Sequence, residues 1–254
     1  MTLPTNPFQS QDGAARYAAG RPPFHPLFMG RLSPLLAGRA LGADVACGTG
    51  LSSVALAEVV ERVLAFDASE AMLAHAAPHP RVSYARARAE ALPLGDHSLD
   101  VLTVAQAFHW FDQAAFLAEA RRTLRPGGVL FMYDDFFLGQ MPGRPDFADF
   151  NATYQARYPA PPRNRYTFGE TEARGAGFSF QEERFTHPMP LTRPGLVAYL
   201  LTHSNTIAAT DSGRETAGEV AGWLDAGLRP FLPDGETREL TFAGLQMVLR
   251  PLEG

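Results

Sequence analysis

Ala43-Asp44-Val45-Ala46-Cys47-Gly48-Thr49-Gly50 sets the reading of the whole chain. Apolar and β-compatible residues run up to Cys47, and two glycines follow at alternate positions. Leu51-Ser52-Ser53-Val54-Ala55-Leu56-Ala57 then reads as a helix. The order is buried strand, tight turn, helix start. Glycine lacks a Cβ, so the backbone can turn sharply there and let a ligand lie against it. Some twenty residues on, Arg62-Val63-Leu64-Ala65-Phe66 reads as a second strand ending at Asp67, whose carboxylate is placed to accept from the two hydroxyls of a ribose. A nucleoside-containing cofactor at the carboxyl ends of parallel strands is the expectation.

The charge pattern narrows the cofactor. A dinucleotide pattern calls for a third glycine or alanine at position 53, where this chain has Ser53. Asp44 lies inside the strand, three residues before Cys47. Its carboxylate would repel a pyrophosphate and attract a cationic amino-acid tail, which favours S-adenosylmethionine over NAD. The other reading of Asp44 is a brace for the glycine turn.

Asp44-Val45-Ala46-Cys47-Gly48-Thr49-Gly50 resembles the first motif of class I S-adenosylmethionine-dependent methyltransferases. Leu92-Pro93-Leu94 before Ser98-Leu99-Asp100-Val101-Leu102 resembles the approach to that family's fourth strand. Leu124-Arg125-Pro126-Gly127-Gly128-Val129-Leu130 resembles the turn into its fifth. Within the superfamily, Tyr17-Ala18-Ala19-Gly20-Arg21-Pro22 and Ala105-Gln106-Ala107-Phe108-His109-Trp110-Phe111 are similar to the trans-aconitate methyltransferase-like group. The resemblance covers residues 8–137 well and the remainder in outline.

It implies an α/β fold: a Rossmann-like, doubly wound seven-stranded sheet with a small helical cap. It implies a single domain over 1–254, with a cofactor-binding core at about 40–137 and covering segments at 1–39, 138–167 and 190–232. The expected cofactor contacts are Asp44, Ala46, Gly48, Gly50, Asp67, Ala68, Met72, Arg88, Ala89 and Gln106. Met72 is an adenine wall in this reading and plain core in the other. The family often has an acid where this chain has Arg88. Adenine's exocyclic amine is a donor and Arg offers no acceptor, so the expectation is that backbone near Arg88 and Ala89 reads the base, the Arg88 side chain turns away, and Glu90 braces the loop.

On the acceptor side, the resemblance folds the N-terminal segment over the cofactor end of the sheet, so that Tyr17 and Arg21 look into the active site. The alternative is a solvated Arg beside a packed Tyr. His109 and Trp110 sit where a central strand ends, the edge at which ligands meet a doubly wound sheet. They are expected to line the methyl-transfer pocket, or else to form a core pair. Tyr17, Arg21 and His109 are the candidate catalytic residues, with Trp110 and Arg21 contacting substrate. A carboxylate acceptor is already a nucleophile and needs no strong base, and Arg21 could clamp it. An amine or hydroxyl would want a base, for which His109 is placed.

Along the chain, His25 to Leu36 reads as a helix, Ser69 as a helix N-cap and Val82 to Ala85 as a third strand. Leu99 to Ala107 is a central strand, Asp112 caps a helix reaching Leu124, and Val129 to Tyr133 is the fifth strand. Phe147, Phe150, Tyr154 and Tyr158 could form an aromatic ceiling or simply pack along a helix. Phe168 to Ala176 is a short helix, Phe178 to His187 the sixth strand, and Thr192 to Leu201 a helix with Pro194 in its first turn. Thr202-His203-Ser204-Asn205 ends that helix. Arg214 to Phe231 is a longer one, and Glu239 to Leu249 the last strand.

Composition sets the outer limits. With 254 residues, 46% hydrophobic and 19% charged, the chain has the profile of one large globular α/β domain. Net charge is −5 and the 22 basic residues are all Arg, which argues against a nucleic-acid partner. The lone Cys47 excludes an intramolecular disulfide and reads as a small turn residue. The seven His lack metal-ligand spacing, so no metal is expected. Residues 1–15 lack a signal-peptide pattern and no apolar run approaches membrane-spanning length, so a cytoplasmic protein without a membrane partner is expected, as monomer or homodimer.

The reading is an S-adenosylmethionine-dependent methyltransferase of a small molecule, with a carboxylate as one acceptor class. A non-catalytic S-adenosylmethionine-binding sensor or partner subunit is the alternative, and a nicotinamide oxidoreductase is disfavoured by Ser53 and Asp44.

Overall fold

The computed structural model describes residues 20–160 and 168–252. Tyr17 and the rest of residues 1–19 lie outside the described residues. The described chain divides into two compact units, with the divisions falling within three long strands. One unit holds residues 23–135, the described part of 164–184, and 245–252; the other holds 20–22, 136–160 and 185–244.

In the first unit, short apolar runs become parallel strands. β1 (Gly42–Val45) is buried at all positions, as a strand covered on both faces must be. It pairs in parallel with β2 (Val63–Asp67) and with β4 (Leu99–Ala105), while β2 continues to β3 (Val82–Arg86) and β4 to β5 (Leu124–Gln140). With β6 (Phe178–Thr192) and β7 (Thr237–Pro251) the sheet has seven strands in the order β3-β2-β1-β4-β5-β7-β6. The α/β architecture and its seven strands are those expected. The order reverses between β1 and β4, the topological switch point at which a doubly wound sheet opens a crevice for ligands.

Helices cover this sheet: α1 (His25–Leu32), α2 (Leu51–Leu56), α3 (Glu70–Leu73), α4 (Gln113–Thr123) and, later in the chain, α6 (Glu170–Gly175). Val45, Phe66, Leu102 and Val104 from the strands form one buried core with Phe116, Leu117 and Ala120 of α4. Ser69 caps α3 and Asp112 caps α4, each side-chain oxygen accepting an amide of the first turn.

The second unit holds α5 (Phe147–Arg157), α7 (Arg193–Leu200), α8 (Ser204–Asp211) and α9 (Ala217–Leu228). The aromatic residues of α5 pack along it: Phe147 meets Phe231, and Phe150 stacks on Trp223. Arg193 is buried, and Asp225, Asp234 and the Leu232 carbonyl receive its guanidinium.

Three boundaries differ from the sequence reading. β5 starts at Leu124, directly after α4, because Pro126-Gly127-Gly128 is absorbed as an irregularity in the β4–β5 ladder between Leu99 and Val101. β6 continues through Pro188 and Pro190 to Thr192; it is an edge strand, where a missing N–H costs no ladder bond. The polar run 202–205 ends α7 as expected, but its Ser204 and Asn205 also open α8, a helix the sequence reading lacked, whose Thr206 hydroxyl donates to the Leu200 and His203 carbonyls.

Gly50 is the tightest point of the first unit. Its φ is +78°, and a Cβ there would overlap the phenol of Tyr84, which donates to the Ala77 carbonyl at 2.7 Å. Gly50→Ala therefore combines left-handed strain with a clash and is expected to lower unfolding free energy by at least about 2 kcal/mol, read by urea denaturation. Tyr84→Phe/Gly50→Ala should recover little, because the ring atoms still collide.

Candidate active site

The cradle starts where β1 ends. Left-handed residues occur at alternate positions, Ala46 (φ +55°), Gly48 (φ +55°) and Gly50 (φ +78°), and wind the chain into α2. Ala46 is the costly one, since only glycine adopts this region freely. The turn is closed by Gly50 N–H donating to the Cys47 carbonyl at 2.9 Å, and Cys47 N–H donates to Phe66 of β2 at 3.0 Å. A Cβ on Gly48 would stand 3.0 Å from the Met72 methyl, so glycine keeps the floor open beside Met72. Cys47 is buried, and desolvation pushes its thiol up, away from the thiolate form.

Asp67, at the end of β2, faces this turn. Its Oδ2 accepts Gly48 N–H and its Oδ1 accepts Ser69 N–H, both at 2.8 Å. Partial burial raises its pKa, while the backbone amides of Ser69, Gly48 and Ala68 oppose that rise. A carboxylate has about four acceptor sites, so each oxygen keeps capacity for a further donor. Two vicinal hydroxyls of a ribose fit that requirement. The Thr49 hydroxyl of the same turn is buried with no partner among the described residues, a polar atom that the protein alone leaves unsatisfied.

Asp44 lies beneath the turn and is fully buried. Ser52 and Ser53 hydroxyls both donate to Oδ2 at 2.6 Å, and the Thr103 hydroxyl donates to Oδ1 at 2.7 Å. Thr103 is Asp44's register partner on β4. The geometry is that of a brace: the carboxyl group ties β1, the first turn of α2 and β4 together. Burial pushes its pKa up more than the three hydroxyls lower it. Ser53 is thereby explained, as a donor to Asp44 where a glycine would leave the acid short of a partner. Thr103 and Ser52 are functional neighbours that the sequence reading missed, although Thr103 sits opposite Asp44 in any parallel β1–β4 alignment.

On the base side, the Arg88 guanidinium is exposed and pairs with Glu90 at 3.2 Å. Glu90 also accepts the Asp112 N–H at 3.1 Å. The Arg88 carbonyl accepts from the Ala91 N–H, while the N–H of the buried Ala89 donates to no other described residue. Ala68 is exposed and Met72 buried beside Gly48.

At the end of β4, Gln106 is a second non-glycine residue at φ +55°. Its N–H donates to the Tyr133 carbonyl at 2.9 Å and its side-chain amide to the Asp135 carbonyl at 2.6 Å, which locks the ends of β4 and β5 together. Phe108 anchors the following turn in an aromatic cluster with Phe111, Phe116 and Phe168. His109 lies against Trp110 with ring centroids 4.7 Å apart, and Trp110 is 37% exposed. Both are therefore carried on the sheet's ligand edge instead of packed as a core pair. His25 Nδ1, buried, meets the Tyr133 hydroxyl at 2.9 Å, a contact across 108 positions without sequence signal. Arg21 belongs to the other unit, where its guanidinium lies 5.6 Å from the Tyr199 ring centroid. Among the described residues, no cluster of His, Cys, Asp and Glu could hold a metal ion, and no helix is long and apolar enough to cross a membrane.

The raised carboxyl of Asp44 makes stability depend on pH. Between the unfolded and the folded values, the folded chain holds a proton there that the unfolded chain has already released. That contribution is complete below the unfolded value, about 3.9, and fades as pH rises through the folded value. Asp44→Asn removes the titration, so the stability gap between wild type and variant should shift in the variant's favour by up to about 1.4 kcal/mol per pH unit within that window, as measured by denaturant unfolding across pH.

Comparison with known proteins places this geometry. The methyltransferase-domain family Methyltransf_11 matches residues 43–132, the stretch from β1 into β5. A solved structure from Anaeromyxobacter dehalogenans, described as a candidate type II methyltransferase, is 31% identical, with a TM-score of 0.69 over 90% of this chain and 97% of that one. A candidate S-adenosylmethionine-dependent methyltransferase of Mycolicibacterium smegmatis is 40% identical over 114 residues, 43% of this chain and 44% of that protein. A malonyl-[acyl-carrier protein] O-methyltransferase of Dechloromonas aromatica is 42% identical over 90 residues, 34% of this chain and 33% of that protein. The matched stretch thus spans less than half the length of these curated relatives. With the seven-stranded order and the 31% identical structure matched over 97% of its length, the chain belongs to the class I S-adenosylmethionine-dependent methyltransferases.

Proposed function

We propose that this protein transfers a methyl group from S-adenosylmethionine to a small molecule bearing a carboxylate, and that it falls within the trans-aconitate methyltransferase-like group on the motifs around Gly20-Arg21 and Phe108-His109-Trp110. The observation that carries the cofactor half is Asp67, half-buried at the end of β2, anchored by Gly48 and Ser69 amides and retaining acceptor capacity on both oxygens. When bound, the cofactor supplies an activated methyl group on a sulfonium.

The residues divide the work. Asp67 holds the ribose hydroxyls, Gly48 and Gly50 allow the close approach, and Ala68 and Met72 flank the nucleoside. The backbone at Arg88–Ala89 meets the base. Ala46 and Gln106 frame the crevice between β1 and β4. Asp44 acts by keeping that frame rigid. His109 and Trp110 wall the acceptor side and exclude water. Methyl transfer is an in-line displacement, in which alignment of two reactants contributes most. A carboxylate acceptor is ionised at neutral pH, so no residue has to remove a proton. Arg21 is the cation we assign to it, and Tyr17 remains a further candidate. The malonyl O-methyltransferase relative supports an acceptor of this class.

Two measurements test this. Calorimetric titration with S-adenosylmethionine should show saturable binding, and Asp67→Ala should weaken it by ~10–100-fold, the loss of a charge-assisted pair of hydrogen bonds. Absence of binding by the wild type would end the cofactor assignment. For the acceptor, turnover of a screened carboxylic acid should vary little between pH 6 and 8 (about the range over which a histidine base titrates), and His109→Ala should raise KM more than it lowers kcat. A steep fall of wild-type kcat below about pH 6.5, abolished in the variant, would instead make His109 a general base.

A further inference from the structure

One ion pair on α4 holds the loop that follows β3. Arg122 Nε and Nη2 donate to the two carboxylate oxygens of Glu119, each at 2.8 Å. Its Nη1 donates to the Leu94 carbonyl and to Asp96, both at 2.7 Å, and its Nη2 reaches the Leu92 carbonyl at 3.2 Å. Glu119 returns the contact by accepting the Leu92 N–H at 2.9 Å. At the other end of the loop, Glu90 accepts the Asp112 N–H at the start of the same helix. The segment 90–96 is thus stapled to α4 at both ends, and the buried Ala89 directly precedes the Glu90 staple.

Exposed ion pairs generally contribute little to stability. This one differs because the guanidinium fork is bidentate to Glu119 and satisfies backbone carbonyls of a loop that has no ladder of its own beyond the Arg88–Ala91 bridge. Its effect is therefore on loop geometry. Hydrogen-bond readout of a base edge is sensitive to that geometry, because displacing a donor or acceptor by even 1 Å forfeits most of the bond.

We propose that Glu119 and Arg122 are positioning residues that fix the Arg88–Ala89 backbone, so that discrimination between bases, more than affinity for the cofactor as a whole, depends on them. The inference rests on the reading of Arg88–Ala89 as the adenine-facing backbone. Lysine cannot replace Arg122, since it carries the charge without the fork.

The test compares dissociation constants for S-adenosylhomocysteine and S-inosylhomocysteine, which differ at the base's six-position amine, in wild type, Arg122→Gln and Arg122→Lys. Their ratio is independent of the fraction of protein that is folded. Wild type should prefer the adenosyl ligand by ~10-fold or more, as a well-placed base contact gives. Both variants should fall below about 3-fold, with most of the loss on the adenosyl ligand. A wild type that binds but does not discriminate overturns the adenine reading of the loop. Discrimination that survives in both variants, or equal weakening of both ligands, overturns the positioning role and leaves a structural one. If Arg122→Gln fails to fold, Arg122→Lys decides by the same ratio. A wild type that binds neither ligand overturns both inferences.

Discussion

A carboxylate removed from water must be met by donors or it shifts toward its neutral form. Asp44 is met by three hydroxyls from two elements of the first unit. That requirement organises the cleft. It draws the first turn of α2 under the end of β1, and it joins β1 to β4 below their hydrogen-bond ladder. The glycine turn above can then run through three left-handed residues, one of them alanine, without relaxing. Strain of this kind persists only where the surroundings over-determine it. The brace under Ala46 and the two bonds holding Gln106 supply that on either side of the switch point.

The same logic extends across the cleft. Asp67 is oriented by amides of the turn and of the α3 cap, so β2, the cradle and α3 share one carboxylate. The loop after β3 is held from the opposite side by α4. Each part of the cleft we assign to the nucleoside thus hangs on a hydrogen bond to an element of the sheet layer, and little has to be ordered when a ligand enters. Preorganisation of this kind reduces the entropic cost of binding.

How far this was legible in the sequence depended on which atoms carry the information. The glycine turn, Asp67 and the ends of β1, β2 and β4 are set by backbone demands that only certain residues meet. Gly48, Gly50 and Asp67 could therefore be found by type and spacing alone. Ser53 registered only as a departure from a dinucleotide pattern, because its partner, Asp44, is nine positions away through a turn. The reading of Asp44 as an attractor for a cationic tail did not foresee its full burial beneath the turn. Pro126-Gly127-Gly128 looked like a stop because proline and glycine usually punctuate; parallel pairing with β4 overrode that local preference. The sixth strand, expected to end at His187, runs on through Pro188 and Pro190, which an edge strand admits. The His25–Tyr133 bond and the Arg122 staple join residues whose types are common at the surface, and no local pattern announces them.

The acceptor side follows a different rule. Phe108 is fixed by a cluster of rings, which in turn sets His109 and Trp110 on a short turn past β4. Their position is dictated by packing, but their chemistry is not: the same turn with other side chains would fold as well. The cofactor half of the cleft is tied to backbone geometry and so tolerates few alternatives. The acceptor half is tied to apolar anchors and leaves its exposed residues free to differ. A shared methyl-donor site and divergent acceptors are the physical consequence of building the two halves in these two ways.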